Sequence, residues 1–137
     1  MPGPIYISKD KDKLDIPFIH AFLTQSYWAE GRTVEEVKTT IENSVCYGLY
    51  KAERQIGFAR VLTDKAVFAY IMDVFVEEGE RGKGYAFQLI DFIMNDKELA
   101  SVPRWMLGTR DAHPLYRKFG FSEVPNPNWV MGLKKPI

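Results

Sequence analysis

The chain has 137 residues, 46% of them apolar and 14% aromatic, a length at which one domain buries about two-thirds of its unfolded surface and a composition too apolar for disorder. Eighteen basic residues balance eighteen acidic ones, so no basic stripe stands ready to neutralise a nucleic-acid backbone. The longest apolar runs, 67–76 and 86–94, fall short of the roughly 20 residues that cross a bilayer. One domain over residues 1–137 is expected, with no nucleic-acid partner and no membrane span.

The opening Met1-Pro2-Gly3-Pro4 has neither a basic start nor an apolar signal core, and the single Cys46 can form no internal disulfide, which makes the cytoplasm the expected compartment. Ile5-Tyr6-Ile7 reads as a short strand. Leu14, Phe18 and Phe22, then Val34, Val37 and Ile41, recur at helical spacing and predict two helices. Asp15 caps the first, with Pro17 in its first turn. Gly31 separates it from the second, which Thr33 caps with Glu35 and Glu36 near its positive end. His20 falls in the first helix, at a core margin.

From Val45 the period changes to that of strands, over 45–51, 56–63 and 67–76, joined by polar turns at 52–55 and 64–65. This is an antiparallel meander. Cys46 lies in its first strand and reads as a buried, inert thiol. The third strand is apolar almost throughout, which predicts cover on both faces. After the polar segment 77–84, Ala86, Leu89, Ile90, Ile93 and Met94 mark a helix and Trp105-Met106-Leu107-Gly108 a strand. Strand, glycine turn, helix and strand make a parallel βαβ unit. A short helix over about 112–119, a strand at Phe121, a loop at 125–128 and a last strand at 129–134 complete the chain.

Gly82 and Gly84, flanked by Arg81 and Lys83, stand where a helix begins. Unpaired amide groups, a positive dipole end and the lack of a Cβ together suit a phosphate. The dinucleotide fingerprint fails because Phe87 replaces its third glycine, and the Walker pattern fails because Gly84 replaces its Ser or Thr. A plain β-to-α turn is the remaining alternative on these residues alone.

Arg81-Gly82-Lys83-Gly84-Tyr85-Ala86 resembles the diphosphate-binding signature of the GNAT superfamily of N-acetyltransferases. Ala112-His113-Pro114-Leu115-Tyr116-Arg117-Lys118-Phe119-Gly120-Phe121 resembles the second signature of the same family, in the same order, and the phrase 107–113 is most similar to small bacterial-type members. The resemblance implies an α/β GNAT fold: a mixed, mostly antiparallel sheet with helices on both faces and a splayed parallel strand pair. It implies acetyl-coenzyme A as co-substrate, no metal, and transfer of the acetyl group to a primary amine of a small molecule or peptide. Cofactor contacts would come from Val74, Phe75, Val76, Arg81, Gly82, Lys83, Gly84, Tyr85, Ala86, Thr109 and Ala112. Thr109 departs from the Asn that many relatives carry there.

The resemblance also assigns Tyr116 as the acid that meets the leaving thiolate, and places Tyr27 and Trp28 over the acceptor, where a ring suits an amine cation. Core packing explains Tyr116, Tyr27 and Trp28 as well. Asp73, the one carboxylate inside the apolar strand, is either a base raised by desolvation or a structural group hydrogen-bonded or paired with an Arg, and a water relay is a third route for the proton. His113 either assists proton transfer or fixes the start of its helix. With two His and one Cys, no tetrahedral metal site can be assembled. A non-catalytic coenzyme-A sensing module with the same fold, and an interaction domain whose turn holds nothing, are the rival functions. The assembly is a monomer or a homodimer, the last strand being free to pair across a two-fold axis.

Overall fold

A computed structural model describes residues 3–136. Five strands form one sheet in chain order: β1 (Ile5–Ser8), β2 (Val45–Lys51), β3 (Arg54–Thr63), β4 (Phe68–Val76) and β5 (Arg104–Leu107). The first four pair antiparallel and β4 pairs β5 in parallel, with Phe68 opposite Arg104 and Ile71 opposite Leu107. The crossover between that parallel pair carries α3 (Tyr85–Met94).

The helix starts are where local chemistry puts them. α1 (Ile16–Leu23) begins where Asp15 accepts from the Phe18 N–H. α2 (Val34–Glu42) begins at a capping box, in which Thr33 accepts from the Glu36 N–H and Glu36 accepts from the Thr33 N–H. Both helices cover one face of the sheet, packing Ile19, Leu23, Val37 and Ile41 against Cys46, Phe58 and Phe75. α3 covers the other, with Leu89, Ile90 and Ile93 against Tyr47, Leu49, Ile56, Val61, Ala69 and Ile71. Burial raises the Cys46 thiol to about 11, so it stays an unreactive core group.

Several expectations are corrected. β3 starts at Arg54 rather than at 56, because the reversal needs only two residues once Ala52 adopts a left-handed φ of 54°. β4 starts at Phe68, leaving Val67 exposed in the turn. Its burial alternates instead of being continuous, since one side faces a cleft. The last helix, α4, is shorter than expected, at His113–Arg117. No strand forms at Phe121, and 129–134 is likewise not a strand: a 3-10 turn at Pro127–Trp129 leads into an extended segment with Trp129, Met131 and Leu133 exposed at 78%, 93% and 86%. Strand-like alternation makes a strand only through a hydrogen-bonded ladder, and this segment forms none with β5, although Trp129 and Val130 share a groove with its residues.

Candidate active site

The pairing of β4 with β5 stops at Ile71 and Leu107. Beyond it the two strands part, and a cleft of about 780 Å³ opens between residues 71–76 of β4, residues 108–112 after β5, and the α1–α2 junction. Residues 72–76 pair only with β3, so their other edge presents backbone groups with no strand opposite, a costly state unless something pairs with them. Gly57 on β3 lets that strand run close behind: a Cβ there would stand 3.0 Å from the Phe75 carbonyl oxygen.

A bulge re-aims β4 in mid-strand. Asp73 and Val74 together face Ala59, and Asp73 adopts a left-handed φ of 55°, a region that Asp tolerates better than most residues. Its carboxylate is thereby turned into a cluster drawn from three elements. Arg60 Nε donates to it at 2.9 Å, Arg32 through one terminal nitrogen at 2.6 Å and Trp28 Nε1 at 2.9 Å, while Arg60 also donates to Ser44 Oγ at 3.1 Å. Both Asp73 oxygens are thereby engaged, Oδ1 by Trp28 and Oδ2 by Arg32 and Arg60. Arg32 and Arg60 were not singled out from sequence. The signal was present, because Arg60 is the one charge within the apolar stretch 56–62, and it pairs with Met72, the residue beside the other intruding charge.

At the far end lies the glycine turn. Gly82 and Gly84 have φ of 80° and 81° with open space where a Cβ would stand, and Gly84 leads into α3 without a side-chain cap. The unpaired amides of the first helical turn therefore remain free for an anion. Tyr85 and Ala86 open the helix, and Ala86 lines the cleft. The two cations are engaged within the protein. Arg81 Nε donates to the Val76 carbonyl at 3.1 Å with its guanidinium over the Phe22 ring, and Lys83 donates to Glu80 at 3.0 Å. That hydrogen bond comes first among the influences holding Glu80 below the ordinary carboxylate range, with Lys51 adding to it against the opposing effect of burial.

Tyr116 sits on α4, 8% exposed, at the inner end of the same cleft. Burial pushes its phenol up to about 12, with Tyr27 adding to the effect. It also packs edge-on against Phe121, so packing and a place in the site go together. Thr109 turns its hydroxyl inward, accepting from the Ala112 N–H at 3.0 Å, which leaves its O–H hydrogen and one lone pair for a ligand. His113 is exposed. Tyr27 and Trp28 line the cleft, 51% and 40% exposed. The Tyr27 face is already covered, however, by the Arg110 guanidinium at 3.8 Å from the ring centroid, a residue the sequence reading passed over. Among the described residues no three His, Cys, Asp or Glu side chains converge on a common point, and no helix is long and apolar enough to cross a membrane.

A mixed sheet that splays between two parallel strands, with a glycine turn at one end of the gap and a buried phenol at the other, is the architecture of GNAT-type acetyltransferases. The family model "Acetyltransferase (GNAT) domain" matches residues 42–123, more than half of the chain. A Xanthomonas campestris pv. campestris protein assigned to the GNAT family is 39% identical, covering 98% of this chain and 96% of its own, with a TM-score of 0.92. A Gibberella zeae protein carried under an acetyltransferase name is 24% identical over 85% of this chain and 77% of its own. An acetyltransferase of Clostridium acetobutylicum solved with acetyl-CoA shares the fold at 18% identity, with a TM-score of 0.72 and 96% of each chain covered. The chain belongs to the GNAT family of acetyltransferases.

Proposed function

We propose that the protein transfers an acetyl group from acetyl-coenzyme A to a primary amine by direct attack. The supporting observation is the continuity of the cleft, lined by Arg81 and Ala86 at the glycine turn, by Val74, Phe75 and Val76 along the unpaired edge, and by Tyr116 at its inner end. The residues fit the ligand: Gly82, Lys83, Gly84, Tyr85 and Arg81 cradle a diphosphate, and Thr109 and Ala112 face the arm across from β4. Acetyl-coenzyme A supplies an acyl thioester as electrophile. An N–H group from residues 74–76, aimed at the developing oxyanion, contributes about 3–4 kcal/mol.

Tyr116 then acts through its hydrogen bond rather than by full proton transfer. Moving a proton from a phenol at about 12 to a thiolate whose ordinary value is about 8.5 costs roughly 5 kcal/mol. The phenol therefore stabilises the departing sulfur by a charge-assisted hydrogen bond, and the amine's proton leaves through water, since Asp73 is engaged elsewhere. Tyr116→Phe should lower kcat about 10- to 100-fold, the worth of such a bond, with acetyl-coenzyme A affinity unchanged. Because the phenol keeps its proton below about pH 12, the wild-type rate should rise with pH as the amine deprotonates and show no alkaline fall up to pH 10. Stopped thiol-release assays check both, and calorimetry showing no acetyl-coenzyme A binding would remove the reading. The sensing-module alternative draws on the engaged Asp73, which leaves the acceptor end without that base. A wild type that binds the cofactor yet acetylates nothing across a broad amine panel favours it.

A further inference from the structure

The acceptor end of the cleft carries an excess of positive charge. Asp73 meets two guanidiniums, so the Asp73–Arg32–Arg60 cluster holds one net positive charge, and its cleft-facing member is Arg32, whose side chain is 17% exposed. Only one of its terminal nitrogens donates to Asp73, which leaves most of its five N–H donors for a ligand. Arg110 lies over Tyr27 and forms no ion pair among the described residues. Stacking fixes the plane of a guanidinium while leaving its N–H edge free. Against these two cations the same end offers one further carboxylate, Asp111.

We propose that the acceptor is an amine that also bears an anionic group, a carboxylate or a phosphate, bound by Arg110 and Arg32. This rests on the acetyltransferase reading and narrows it. A polyamine or a plain amine cation is disfavoured, because the Tyr27 face that would receive it already holds Arg110 and the Trp28 N–H is committed to Asp73. Asp111 remains as the carboxylate for the acceptor's ammonium before it loses its proton.

Matched amines separate the cases: ethanolamine against phosphoethanolamine, glycinamide against glycine, with spermidine as a polycation. The anionic member of at least one pair should show kcat/KM ten- to a hundredfold above its neutral partner, the range for losing a charge-assisted hydrogen bond, and the favoured pair tells phosphate from carboxylate. Arg110→Gln should erase that preference while acetyl-coenzyme A affinity holds, and Arg110→Lys should restore part of it. As a readout independent of turnover, inorganic phosphate at about 10 mM should raise the Tm of the coenzyme-A-loaded wild type by about 2 °C or more and leave Arg110→Gln unmoved. Neutral or polycationic amines reacting as well as anionic ones would overturn the proposal. If no amine reacts, the phosphate shift decides alone, and its absence overturns the proposal. Failure of acetyl-coenzyme A to bind the wild type would instead strike the underlying reading.

Discussion

Two carboxylates, Asp73 and Glu80, are each buried beside more than one cation, yet they are built on different plans. Asp73 is 4% exposed, sits on a backbone bulge, and is held by two guanidiniums and an indole at 2.6–2.9 Å. Its partner Arg60 has a side chain only 5% exposed. Glu80 is 8% exposed but draws on Lys51, Lys83 and Arg54 at 3.0–3.3 Å, side chains 24%, 47% and 54% exposed. The fold fixes the first arrangement, which sets the charge at that end of the cleft. The second is a set of solvent-exposed cations around one carboxylate at the glycine turn.

Removing the anion from the fixed cluster should have the largest effect. Asp73→Ala leaves Arg60 and Arg32 facing each other without a counter-charge, and breaking a buried pair from one side costs about 3–5 kcal/mol. Urea unfolding should show a loss of that order, large against the 5–15 kcal/mol typical of a domain. A loss near zero would mean that the cluster relaxes as freely as the Glu80 shell. Trp28→Phe tests the same cluster more gently. It keeps the ring against Phe22 and deletes one hydrogen bond to a charged group, so about 1.5–3 kcal/mol is expected. A double-mutant cycle with Arg32→Gln should show the two effects coupled, since both act through one carboxylate.

The contrast also shows what a linear reading can reach. The Asp15 cap, the Thr33–Glu36 capping box and the glycine turn before α3 are legible because each depends on residues within three or four positions. The three-strand meander and the parallel crossover after it were legible from alternation and turn chemistry. The Asp73 cluster was not, because Trp28 and Arg32 reach it across 45 and 41 residues and the bulge that aims it leaves no mark in the apolar pattern. Strand readings at Phe121 and 129–134 failed for the complementary reason: alternation specifies a face, and only a hydrogen-bonded ladder, which neither segment forms, turns it into a strand. Arg110 over Tyr27 joins two loops that no periodicity connects. In the cleft, then, the glycine turn was readable as motif, whereas the charge at the opposite end emerged only from the folded chain.

The smallest expected effect lies at Glu80, and its pH dependence distinguishes it from Asp73. Hydrogen bonding from Lys83 is the leading influence keeping the folded-state pKa of Glu80 below its ordinary value of 4.5. A carboxylate lowered in this way adds stability above that value and loses it as pH falls through the folded one. Glu80→Gln should therefore lose only a little stability in urea melts at pH 7, the smallest loss of the series, because its cationic partners rehydrate. Its stability should then decline less steeply than wild type below about pH 4.5. The decline should persist in part, since Asp64, Asp96 and Glu98 are also held low by hydrogen bonds. The same change frees Lys83, so acetyl-coenzyme A should bind a few-fold more tightly with a steeper salt dependence, as expected when a screened surface cation gains an anionic partner. Unchanged affinity together with parallel pH curves would show that Lys83 stays on its own side of the turn, and that the two carboxylates differ in burial alone.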